Sequence, residues 1–251
     1  MIDPSRLTAA ILAGGSGTRL RSAVADRPKC LAIVRGRPFL IWILTQLAAW
    51  GIRDAVLCTG YMADMMEGTL GSSHGSLRIR YSREGTPMGT GGALRQALPM
   101  LESDPVLVLN GDSYCQVDLA AMLGFHEDRL SAATLLLIQV PNISRYGHVV
   151  IDDRDRVTQF AEKCSPRDLS APPPSGWINA GVYLLSRAFI ASIPPGRAVS
   201  VEKEIFPSAI NGGLHGFRGH GRFIDIGTPD SYAAAEKFFA SVQIPNFKSE
   251  I

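Results

Sequence analysis

Two aspartates, each reached at the end of an apolar run, carry the first chemical signal in this chain. Val106-Leu107-Val108-Leu109 leads into Asn110-Gly111-Asp112, and Phe223-Ile224 leads into Asp225 and then Ile226-Gly227. Carboxylates delivered by two separate strand ends make a magnesium site when triphosphate oxygens complete the octahedron. Alone, Asp112 reads equally well as a turn-capping aspartate. A glycine loop near the amino terminus favours the metal. In Leu12-Ala13-Gly14-Gly15-Ser16-Gly17-Thr18-Arg19-Leu20 the glycines permit positive φ and keep side chains away, so successive N–H groups can converge on an anion. Arg19 and the Lys29 of a Pro28-Lys29 turn add positive charge, and a guanidinium fork suits phosphoryl oxygens. A nucleoside triphosphate fits such a set.

Two better-known phosphate loops are excluded. There is no Gly, four residues, then Gly-Lys-Ser/Thr, and Leu20 stands where the dinucleotide fingerprint needs its third glycine. A second glycine loop, Glu84-Gly85-Thr86-Pro87-Met88-Gly89-Thr90-Gly91-Gly92-Ala93, opens a helix and can pass close to a base and ribose through Gly89, Thr90, Gly91 and Gly92. Glu84 can accept from the N1–H and amino group of guanine, donors that uracil and thymine do not match; a solvent-facing glutamate at a strand end is the competing reading. Glu162-Lys163 ends a strand pattern, and Asn179-Ala180-Gly181 interrupts another. A lysine there can neutralise a sugar phosphate while Glu162 and Asn179 hold hydroxyls, although such a Glu-Lys pair alone reads as an exposed ion pair.

The elements that must position these residues alternate. Ala9–Ala13 reads as a strand, with a tight loop and a charged helix after it. Phe39–Trp50 reads as a helix stopped by Gly51, 54–60 as a buried strand, 61–70 as a helix, and 77–82 as a strand with a wetter face. Helix at 90–101, strand at 105–109, helix at 118–127 and an apolar run at 132–140 follow, predicting a mostly parallel sheet covered on both faces. Past Pro141 the pattern becomes β-rich: a hairpin over 146–160, a proline-rich loop over 165–176 with Pro172-Pro173-Pro174, a strand at 177–185, a helix at 201–210, a strand pair over 214–227 and a helix from Pro229 to Val242.

At 251 residues, 46% hydrophobic and 19% charged, the chain reads as one α/β domain whose pattern changes near Pro141. A net charge of +2 provides no field for nucleic acid. No stretch reads as a membrane span or a secretion signal, and the four cysteines, Cys30, Cys58, Cys115 and Cys164, lack pairing or metal spacing. The expected place is the cytoplasm, with no membrane partner; a homo-oligomer is compatible with the sequence. His126, His215 and His220 read as surface residues.

In order, LAGGSGTRL, RPK, EGTPMGTGGAL, LNGD, YGHV, EK, WINAGVYLL and FIDIGTPDSY run the length of the chain. Together they resemble the sugar-1-phosphate nucleotidylyltransferases, over roughly residues 8 to 240, and within that family are most similar to the D-glycero-α-D-manno-heptose 1-phosphate guanylyltransferases. The resemblance implies a Rossmann-like, GT-A type, three-layer α/β/α fold with a mixed, mostly parallel sheet and a small β-rich sugar-binding lobe. It implies attack of a sugar 1-phosphate oxygen on the α-phosphorus of GTP, with Mg2+ present and pyrophosphate leaving. By the same resemblance Asp112 and Asp225 are the magnesium ligands, Arg19 and Lys29 clamp phosphate, Lys163 contacts the sugar phosphate, and Tyr146 and Gly147 join the sugar side. Cys30 stands where a second proline is common and Ser113 where threonine is frequent. No hexapeptide repeats follow the last helix, so no fused acetyltransferase is expected.

Two other classes compete. A glycosyltransferase of similar fold usually carries Asp-x-Asp, but Asn110 precedes Asp112 by two positions. A non-catalytic sugar-nucleotide sensor would lose the charged set that Arg19, Lys29, Asp112, Lys163 and Asp225 preserve.

Overall fold

The computed structural model describes residues 2–15, 17–143, 146–161 and 175–242. Ser16, Glu162, Lys163, Cys164 and the triple proline fall outside them. Apolar runs become strands in chain order: β1 (Thr8–Leu12), the short β2 (Ile33–Val34) and β3 (Arg37–Pro38), β4 (Asp54–Thr59), β5 (Ser73–His74), β6 (Leu77–Arg83) and β7 (Val106–Asn110). Then come β8 (Ser113–Cys115), β9 (Ala133–Val140), β10 (His148–Ile151), β11 (Val157–Ala161), β12 (Gly176–Leu185), β13 (Leu214–Gly219) and β14 (Phe223–Asp225). The α-helices are α1 (Phe39–Ala49), α2 (Ala63–Leu70), α3 (Gly89–Ala97), α4 (Leu119–Asp128), α5 (Arg187–Ser192), α6 (Phe206–Ser208) and α7 (Pro229–Ala240). Helix α1 stops at Gly51, whose φ of +84° a side chain would resist.

One large sheet holds the molecule together. Strands β6, β4, β1 and β7 run parallel, and β12 joins β7 antiparallel through Val182–Leu185. On its other edge β12 pairs antiparallel with β9, which pairs parallel with β13. Successive residues of the parallel strands face opposite ways and both sets are buried. Ile11, Leu57, Leu107 and Leu109 pack in one apolar layer with α1, α4 and α7, while Ala10, Val56, Val106 and Val108 pack in the other with α3, α5 and α6. This is the three-layer α/β/α arrangement, and burial on both faces explains why these strands read as continuous apolar runs.

Several expected elements differ. After the first glycine loop there is no α-helix, only a 3-10 turn, Thr18–Leu20. Leu20 and Val24 are its sole apolar anchors and Pro28 follows, so no apolar stripe can stabilise a helix there. The 201–210 stretch begins as one π-helical turn, Val201–Ile205, before the short α6. The 214–227 strands do not pair with each other: β13 lies on β9, and β14 forms a separate two-stranded ribbon with β8. His126 is buried, not on the surface, because it shares the inward face of α4 with Met122 and Leu123, and its Nδ1 hydrogen-bonds the Thr134 hydroxyl at 2.8 Å. His215 is half-buried, while His220 is exposed. Cys30, Cys58 and Cys115 are buried free thiols, each pushed up to about 12 by burial, which leaves them poor nucleophiles.

Candidate active site

The site lies where the sheet splits. Along one edge of β12, β7 pairs with Val182–Leu185 and β10 takes over at Ile178, leaving Asn179-Ala180-Gly181 between them in a bulge. Gly181 has φ of +74°, and a Cβ there would sit 2.8 Å from both Asn110 Nδ2 and Ser113 Oγ. Only glycine lets the bulge settle against the end of β7. A cleft of about 250 Å³ opens over this point, lined by Arg19, Lys29, Asn110, Asp112, Tyr146, Gly147, Asn179, Asp225 and neighbours.

The two aspartates arrive by one ribbon. Register pairs Asp225 with Ser113, and the Ile226 N–H donates to the Asp112 carbonyl at 2.9 Å, so carboxylates more than a hundred positions apart in the chain share one end of the β8–β14 pair. Asp225 is held by the Tyr146 hydroxyl at 2.9 Å on Oδ2 and by the Gly227 N–H at 2.7 Å on Oδ1. Lys29 donates to Asp112 Oδ2 at 2.5 Å. That lysine is placed by the glycine loop: Gly17 takes φ of +60°, and a Cβ on it would press within 2.8 Å of Lys29 Cβ. Cys30, beside it, points its thiol at the Ala13 carbonyl, 3.7 Å away, which fastens the Pro28-Lys29 turn under the loop in the position where proline is common.

On the far side, the Asn179 N–H donates to the Gly147 carbonyl at 3.3 Å. Glu84 accepts the Met88 N–H at 2.8 Å, and its other oxygen lies 2.8 Å from where a Gly14 Cβ would be. The carboxylate therefore lies against Gly14 and Gly60. Burial raises its pKa, with the Met88 N–H acting against that. Of the described residues expected to bind the nucleotide, Arg19, Lys29 and Asp112 line the cleft, whereas Leu12, Ala13, Gly14, Gly15, Gly17, Thr18, Glu84, Gly89, Thr90, Gly91, Gly92 and Gly111 do not. Gly91 N–H donates to the Val199 carbonyl at 2.8 Å, and the Thr90 hydroxyl is bound to Glu202 at 2.7 Å. Sequence reasoning missed Asn110, Ser113, Ala180, Gly181, Phe223, Gly227 and Thr228 as lining residues. For Gly181 a signal existed, a glycine inside an apolar strand; for Thr228 it was the Thr-Pro-Asp-Ser helix start, which forms a capping box on α7.

No group of three or more His, Cys, Asp or Glu side chains gathers to hold a metal among the described residues. What the cleft offers is a pair of carboxylates, Asp112 and Asp225. Two protein oxygens with room beside them fit a hard divalent cation that keeps waters and takes phosphate oxygens, rather than one needing a full protein cage.

A Rossmann-like, mostly parallel sheet bears a cleft on which Arg19, Lys29, Asp112 and Asp225 meet. The chain matches the nucleotidyl transferase family over residues 8–242, and it belongs to that family. Members generally use a divalent metal. It is 35% identical to D-glycero-alpha-D-manno-heptose 1-phosphate guanylyltransferase of Aneurinibacillus thermoaerophilus, over 92% of its own length and 97% of that protein's. It is 37% identical to mannose-1-phosphate guanylyltransferase of Mycobacterium tuberculosis over 90% of its own length, but spans only 63% of that relative. Among solved structures, HddC from Yersinia pseudotuberculosis superposes with a TM-score of 0.82 at 32% identity, covering 93% of this chain and 99% of that one. HddC complexed with GMP-PN gives 0.81 at 31% identity, covering the same shares of each chain.

Proposed function

We propose that the protein joins GTP to a sugar 1-phosphate, with D-glycero-α-D-manno-heptose 1-phosphate as the favoured sugar, giving a GDP-sugar and pyrophosphate in the cytoplasm. The observation that carries this reading is the meeting of Asp112 and Asp225 on one ribbon, at the same cleft as Arg19 and Lys29. Likeness to the Aneurinibacillus guanylyltransferase along nearly the whole of both chains supports the choice of base and sugar.

In this reading residues about 8–140 bind the nucleotide and about 141–242 the sugar phosphate. Loop amides of Gly14, Gly15, Ser16 and Gly17, with Thr18, cradle the triphosphate, and Arg19 and Lys29 offset its charge. Asp112 and Asp225 would hold Mg2+, which supplies charge neutralisation to the phosphates when bound. Glu84, fixed against Gly14, is the acceptor for the guanine edge. Tyr146, Gly147 and Asn179 frame the sugar, and Glu162 and Lys163 are assigned to it from the sequence. The attacking phosphate is already ionised, so the chain's work is to hold it in line with the α-phosphorus and to cancel charge; no general base is required.

The 37% identity to the mycobacterial protein favours one second reading, mannose 1-phosphate as the sugar. A matrix of the common nucleoside triphosphates against sugar 1-phosphates, read as pyrophosphate, decides. Release with GTP and the heptose phosphate is expected. Release only with UTP or dTTP would overturn the base, release only with mannose 1-phosphate would overturn the sugar, and none at all would overturn the activity.

A further inference from the structure

Behind the cleft runs a chain of polar groups that the reaction as described does not use. Tyr183, on β12, is fully buried, yet its hydroxyl is engaged by three side chains, Glu202, Asn179 and Asn110. It donates to Glu202 Oε1 at 3.3 Å and accepts from Asn179 Nδ2 at 2.8 Å. Glu202 also takes the hydroxyls of Thr90, at 2.7 Å, and of Ser200, at 3.1 Å, both on Oε2. The Thr90 oxygen in turn accepts the Val201 N–H at 2.9 Å. At the cleft end, Asn179 Oδ1 accepts the Gly181 N–H at 3.0 Å.

The direction of these bonds follows from their chemistry. A carboxylate accepts and does not donate, so the single Tyr183 proton is committed to Glu202. The tyrosine oxygen can then only accept, which requires an N–H from Asn179. A backbone N–H at the opposite end requires the amide oxygen. Both ends of the Asn179 amide are thereby specified, and it cannot flip. It retains one N–H and one lone pair for the cleft it lines.

We infer that Tyr183 and Glu202 are positioning residues for the sugar 1-phosphate: they fix which way the Asn179 amide faces, so that the cleft offers a donor and an acceptor at set places to sugar hydroxyls. The inference rests on the proposed function and names the part of the chain that sets its sugar preference. It also gives Thr90, in the second glycine loop, a role through Glu202 in place of direct contact with the nucleotide. Buried hydrogen-bond chains of this kind discriminate well, because a substrate lacking the matching hydroxyl leaves a buried group unpaired.

Tyr183→Phe tests it, since the ring and its edge contact with Phe206, at 5.1 Å between centroids, are kept while the hydroxyl goes. The sugar 1-phosphate KM should rise roughly 3- to 10-fold, with kcat and the GTP KM within about 2-fold of wild type. In an Asn179→Ala background the same substitution should change the sugar KM by less than about 2-fold, because its effect passes through that amide. An unmoved sugar KM, or an undiminished effect in the Asn179→Ala background, overturns the relay. Should Tyr183→Phe fail to fold, Glu202→Ala, which removes the acceptor that commits the Tyr183 proton, decides by the same criterion. Wild-type protein that releases no pyrophosphate with any pair overturns the proposed function and this inference together, a result distinct from an active enzyme indifferent to Tyr183.

Discussion

Glu84, against Gly14 of the first glycine loop, shows how a single residue is set by its surroundings. Its folded pKa is raised by burial, so the folded protein holds a proton there more tightly than the unfolded chain does. Stability attached to this group is therefore present at low pH and is lost as pH rises through the usual carboxylate range and above it. Glu84→Gln keeps an oxygen for the Met88 N–H and removes the charge. The variant should resist urea better than wild type at about pH 7 and equally at about pH 4; a variant weaker than wild type at the higher pH contradicts the account. Gly181→Ala should cost about 1–3 kcal/mol from its positive φ alone, with more from contact with Asn110 and Ser113, measured by the same melts. An unchanged midpoint would show that the bulge tolerates a side chain. Residue types alone pointed to Asp112, Asp225, Arg19 and Lys29, because paired carboxylates and cations beside glycine are unusual. They gave no warning that His126 is buried, although its spacing from Met122 and Leu123 along α4 contained that information.

At the scale of elements, the central strands were legible and the connections were not. β1, β4 and β7 are buried on both faces, so each reads as an unbroken apolar run whose identity needs no distant partner. Leu107, packed within that sheet with no exposure, should cost about 2–5 kcal/mol on substitution by alanine, seen as a fall in the denaturation midpoint without change in slope; a loss under about 1 kcal/mol would mean that the core had collapsed into the space. What the periodicity could not reveal is long-range pairing. The β8–β14 ribbon joins segments on either side of half the chain, and the double duty of β12 along one edge depends on where β7 ends and β10 begins. Strand ends alone predict that Asp112 and Asp225 face a crevice. They do not predict a shared ribbon. The 3-10 turn at Thr18–Leu20 was misread as a helix because charged residues between Leu20 and Pro28 look helical when the missing apolar stripe is ignored.

For the molecule as a whole, one large sheet supplies Asn110 and Asn179 to the cleft, and the separate β8–β14 ribbon supplies Asp225. None of its helices is long and apolar enough to cross a membrane among the described residues. The arrangement asks little covalent work of the protein and much placement, which is how phosphoryl-type transfer gains its rate. In the proposed reaction Asp112 and Asp225 act together on one nucleotide. The most direct test is pyrophosphate release from GTP and D-glycero-α-D-manno-heptose 1-phosphate, with magnesium, by wild type, Asp112→Ala and Asp225→Asn side by side. Turnover by wild type and a loss of at least roughly 100-fold in each variant, with far-UV circular dichroism unchanged, is the predicted result. Equal rates in wild type and either variant would contradict it.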